Sequence, residues 1–102
     1  MDENVISKPL YRVLSELTQE SRIEVALPLA IKDWLRLRLE ETRRKREGFE
    51  QRYAQDFTAF RQAWQEGRIP NQYTYEVEQD YWEWEAAVSD EQRLQQLLDD
   101  LP

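Results

Sequence analysis

An all-α fold is the first expectation from this chain, and three features carry it. Glycine and proline are scarce, two and four among 102 residues, so the turn-rich β architectures lack the residues they need. Apolar side chains recur at i, i+3, i+4 and i+7 through most of the length, and the runs follow residues suited to capping a helix. Together these describe a small helical domain with one long central helix. A chain this short buries a modest core, and the length of the central apolar stripe adds the expectation of a dimer.

Ser7 is placed to cap a first helix, with Pro9 in the opening turn, where its missing N–H would have had no partner. Leu10, Val13, Leu14 and Leu17 then share one face, and residues 18–21 form a polar break. Ser21 and Glu24 have the spacing of a capping box for a second helix, running from residue 22 to about residue 46. On it Leu27, Ile31, Trp34, Leu35 and Leu39 make the stripe assigned to the dimer interface. Pro28 predicts either a start near Leu27 or a kink, because an interior proline removes a backbone hydrogen bond and crowds the preceding turn.

Gly48 opens a stretch in which the stripe turns aromatic. Phe49, Tyr53, Phe57, Phe60 and Trp64 keep helical spacing and read as core, on either one bent helix or two joined near Ala54 and Gln55 with Asp56 capping the second. Gly67 ends that helix, and residues 68–73 are a loop around Pro70 and Asn71. Thr74 caps a last helix. Strand alternation fails here, since Tyr75, Val77 and Tyr81 are odd and Trp82 and Trp84 even, whereas Val77, Tyr81, Trp84 and Val88 form one helical stripe. Ser89 and Gln92 are spaced for a restart, after which Leu94, Leu97, Leu98 and Leu101 supply an apolar face.

The inventory of reactive groups is short. With no cysteine and no histidine there is no disulfide, thiolate or imidazole metal site, or histidine-dependent triad, and no metal or cofactor is expected. A carboxylate pair such as Asp80 with Glu83 needs a pocket to raise one pKa and exclude water, and a chain this small offers none, so an enzyme is not expected. The start, MDENVISKPLY, lacks a basic segment followed by an apolar run, and no stretch suits a bilayer, so a soluble cytoplasmic protein is expected.

Charge is unevenly placed. Residues 1–51 hold ten basic and ten acidic side chains, residues 52–102 four arginines against eleven acids, so the net charge of −7 lies wholly in the second half. Within it, YEVEQDYWEWE at residues 75–85 sets Glu76, Glu78, Asp80, Glu83 and Glu85 among Tyr75, Tyr81, Trp82 and Trp84. Like charges at helical spacing repel, and the macrodipole excuses only those in the first turn. A basic protein surface is the partner such a segment fits, with Tyr81, Trp82 and Trp84 as anchors. The basic run Arg43, Arg44, Lys45 and Arg46 reads first as a solvated surface with helical ion pairs (Glu40 to Arg44, Glu41 to Lys45, Arg43 to Glu47) and second as the candidate DNA contact. Nucleic acid is not expected alone. The first two helices are ordered like a helix-turn-helix, but the second opens on an apolar run instead of a polar, basic recognition surface.

The stretches YEVEQDYWEWEA (75–86), RVLSELTQES (12–21) and RYAQDFTAF (52–60) resemble three segments of a family of small bacterial antitoxin-like proteins, covering 31 of the 102 residues. The middle motif departs from the family pattern, with Ala54 where glycine is usual and Asp56 where serine or threonine is usual. The resemblance implies an antitoxin whose partner is a small ribonuclease-like toxin. On this view residues 1–67 are a helical core and dimerisation region and residues 68–102 the acidic aromatic partner-binding segment. The alternative is a structural or assembly protein whose acidic half serves only solubility.

Overall fold

The computed structural model describes residues 6–102, so the reading of the first five residues as a start without a leader lies outside it. Helices α1 (Lys8–Thr18), α2 (Ile23–Tyr53), α3 (Phe57–Gln65) and α4 (Tyr75–Asp99) make an all-α fold, with no strand among the described residues. No described helix is long and apolar enough to cross a membrane.

Three of the five predicted caps form. The side-chain oxygens of Ser7, Asp56 and Thr74 accept from the N–H groups of Leu10, Ala59 and Val77, and Pro9 sits in the first turn of α1. Ser21 does not cap α2. The N-cap is Arg22, without a side-chain bond, and the Glu20 carboxylate takes the Arg22 N–H at 2.7 Å while the Ser21 carbonyl accepts from the Tyr11 hydroxyl. The α2 helix passes through both Pro28 and Gly48 and ends only at Tyr53. Proline at the sixth helical position loses one bond near the end, where the helix has few to lose, and the helix absorbs it. Likewise α4 is continuous through Ser89, so no restart occurs there.

The break after α2 is made by Ala54, which adopts φ 55° and ψ 38° and donates to the Glu50 carbonyl. Alanine thus takes the left-handed turn that glycine adopts more cheaply. The chain reverses again after α3, where Gly67 (φ 69°) and Asn71 (φ 57°) turn the loop. Buried Gln72 holds that loop in place: its Oε1 accepts from the Ile69 N–H at 3.3 Å and its Nε2 donates to the Trp64 carbonyl at 2.9 Å.

These turns lay α4 antiparallel along α2, with α3 across one end. Seven rings fill the junction: Phe49 and Tyr53 from α2, Phe57, Phe60 and Trp64 from α3, and Tyr81 and Trp84 from α4, with Ala63 and Ile69 completing it. Farther along, Leu35 and Leu39 pack with Leu94, Leu98 and Leu101. The aromatic core crosses residue 67, so α4 is built into the same body as the helices before it. Beyond the aromatic junction, α1 and the first half of α2 form an arm, which the end of α4 meets at Leu35 and Pro102 meets near Pro28. The arm stretches the molecule to 59 × 24 × 21 Å with a radius of gyration of 19.7 Å, where a compact domain of this length has about 13 Å.

Two backbone positions are mismatched to their residues in opposite senses. Gly48 is helical, and a Cβ there meets nothing within 4 Å. We expect Gly48→Ala and Ala54→Gly each to raise stability by about 0.5–1 kcal/mol in urea unfolding, and the reverse logic predicts no gain from Gly67→Ala.

Candidate functional site

Helix α4 presents the segment singled out by the sequence, but its aromatics divide. Trp84 is 0% exposed and Tyr81 is buried, whereas Trp82 is 62% exposed. Trp84 stacks on Phe49 (5.6 Å between centroids) and Tyr53 (5.7 Å), and Phe60 lies 4.8 Å away. Tyr81 packs on Trp64 at 4.7 Å. Both therefore belong to the chain's own core and are removed from the set of partner anchors. Trp82, set edge-on to Tyr81, is the one indole of the segment that faces solvent.

The carboxylates divide as well. At 3.6 residues per turn they fall into two strips with Trp82 between them on the outside. Glu85 lines a groove of about 470 Å³ between α3 and α4 with Phe57, Thr58, Arg61 and Trp82, and Glu78, seven residues earlier, shares its flank. Asp80 and Glu83 lie on the flank that meets α2. Asp80 is already engaged: Arg52 Nη1 approaches it at 2.7 Å and the Tyr53 hydroxyl donates to it at 2.6 Å. It is a structural acid, not a waiting one. Glu83 accepts from Gln79 and borders a hollow with Arg44, Lys45 and Arg52. Among the described residues, Glu76, Glu78, Glu83 and Glu85 make no ion pair.

The basic run is largely committed to α4. Arg46 bonds Glu91 at 2.6 Å and Glu50 at 2.8 Å, and Arg43 reaches Glu91 at 3.2 Å and Gln95 at 3.0 Å. Of the three helical pairs expected, only Glu40 with Arg44 forms, at 2.6 Å; Glu41 turns to Arg38 instead. Glu91 was not singled out from the sequence, because its partners lie 45 and 48 residues away, beyond any local spacing rule. The arginine–glutamate clamp drives the Arg46 guanidinium further above its ordinary range, chiefly through the Glu91 hydrogen bond. Among the described residues only Lys45 of the run makes no ion pair; it and Arg44, which holds Glu40, are exposed.

The residues assigned to the dimer interface divide too. Leu27, Ile31 and Trp34 are exposed, but Leu35 and Leu39 are buried against Leu94 and are withdrawn from that role. Leu35 lies about a quarter-turn round the helix from the Leu27 line, enough to point at α4 instead of solvent.

Two measurements check this geometry. Trp84→Ala is expected to cost about 3–5 kcal/mol in urea unfolding and Trp82→Ala about 1 kcal/mol or less; equal costs would contradict the division between them. Tyr53 supplies a pH signature. Burial, aided by the hydrogen bond to Asp80, raises its phenol from 10.0 to about 12. The neutral phenol is thus favoured in the fold, so its contribution is intact below pH 10 and is lost as pH rises toward about 12. Tyr53→Phe should flatten that part of the stability–pH curve relative to the parent.

Comparison with protein-family models, with curated proteins and with solved structures gave no match for the chain.

Proposed function

We propose that the chain is a protein-binding antitoxin. The outer face of α4 docks on a small basic partner of the ribonuclease type and covers the surface with which that partner holds RNA. The observation that carries this reading is Trp82, 62% exposed between two strips of carboxylates of which Glu76, Glu78, Glu83 and Glu85 make no ion pair among the described residues. An exposed indole and like charges at helical spacing both oppose the stability of an isolated helix, and both are relieved when a cationic surface covers them. The motif resemblance at residues 75–86 supports the same role. In this arrangement Trp82 fills a partner pocket, Glu76, Glu78, Glu83 and Glu85 meet lysines and arginines, and Tyr81, Trp84 and Asp80 hold the helix rigid behind them. Charge complementarity speeds encounter more than it deepens affinity.

The test uses the protein encoded beside this chain's gene, in an RNA cleavage assay with and without the chain. Cleavage is expected to stop near one equivalent. Replacing Glu76, Glu78, Glu83 and Glu85 by glutamine should slow association tenfold or more at low salt with the thermal melt unchanged, and Trp82→Ala should weaken affinity about 30-fold. Cleavage indifferent to the chain, or an on-rate indifferent to the four charges, would overturn the proposal.

A further inference from the structure

The arm carries nine of the thirteen exposed large hydrophobic residues among those described: Leu10, Tyr11, Val13, Leu17, Leu27, Leu29, Ile31, Trp34 and Leu37. Helix α1 has no buried residue, and its half-buried positions, Leu14, Ser15 and Thr18, leave the Leu10, Val13 and Leu17 side outward. On α2 the exposed line runs Leu27, Ile31, Trp34 and Leu37, at spacings of 4, 3 and 3, with the Arg38 guanidinium over the Trp34 ring at 5.7 Å. Single exposed apolar residues are ordinary on a monomer, but nine of them gathered on one arm mark a face suited to association.

We infer that a second copy of the chain covers the arm, the first halves of the two α2 helices pairing along Leu27, Ile31, Trp34 and Leu37 about a two-fold axis. Leu27, Ile31 and Trp34 have the 4–3 apolar spacing with which helices pair, Leu37 flanking them, and a two-fold contact needs only a self-complementary patch. Charge selects the same occupant. The arm's ionic groups are nearly balanced and locally paired, Arg12 with Glu16, Arg22 with Glu20 and Arg36 with Asp33, so one arm does not repel another. The acidic surface of α4 does repel its copy and leaves the arm as the end at which two chains meet. This inference stands apart from the role proposed for α4.

Sedimentation equilibrium of the full chain between about 1 and 100 µM decides it. The expected mass is twice 12.4 kDa. Ile31→Glu and Trp34→Glu, both at positions already exposed in the single chain, should weaken association at least 100-fold with helical circular dichroism unchanged. Leu97→Glu, exposed on α4, should leave the mass alone. Acrylamide quenching of Trp34 in a Trp82→Phe background should fall as concentration rises through the transition. A chain that stays at 12.4 kDa throughout the range, or a dimer that survives both glutamates with Trp34 still quenchable, overturns the inference.

Discussion

The burial of one indole, Trp84, is the constraint on which the rest of the molecule depends. It is fully enclosed and touches rings from both α2 and α3, so it fixes the rotation of α4 about its own axis. Once that rotation is set, every other residue of the helix has its place. Tyr81 turns inward, Asp80 arrives at Arg52 and Tyr53, Glu91 arrives at Arg43 and Arg46, and Trp82 is driven outward. The indole N–H has no hydrogen-bond partner among the described residues. Leaving such a group dry costs about 1–3 kcal/mol, so the ring is held for its apolar area and stacking, which must exceed that cost.

Much of the fold was legible in the sequence, and the remainder was illegible for reasons that differ residue by residue. Caps are local chemistry, and Ser7, Asp56 and Thr74 announce themselves. The Val77, Tyr81, Trp84, Val88 stripe is equally local, and it already set Tyr81 and Trp84 toward a core. Counting them also as partner anchors ignored that one side chain cannot serve both purposes. Periodicity says which residues share a face, not which neighbour takes the face. The Leu27 and Leu35 lines looked like one broad stripe, yet α4 covers only the second. The same limit applies to Arg43 and Arg46, whose short-range partners were plausible and whose actual partner comes from a helix half the chain away. Pro28 as a helix start and Gly48 as a boundary were over-read: α2 begins at Ile23 and runs through both, Pro28 removing a single backbone bond near the end and a lone helical glycine costing about 1 kcal/mol.

The molecule has two ends of opposite character. At one, aromatic burial is dense and the surface carries net negative charge; at the other, charge is balanced and apolar side chains stand in water. Each surface is costly for an isolated chain in its own way, and each suits a different class of contact. On the two proposals the acidic end meets a cationic protein and the apolar end a copy of itself, with α2 belonging to both halves.

That shared helix has a consequence for how the structure opens. Its last turns are pinned under seven rings, its middle by Leu94 and the arginine clamp, and its first turns by a helix that buries none of its residues and by the chain's end at Pro102. Backbone protection therefore declines from the C-terminal end of α2 toward Ile23, and fraying can begin at the arm while the aromatic junction remains closed. A single continuous helix thus spans separate units of local unfolding.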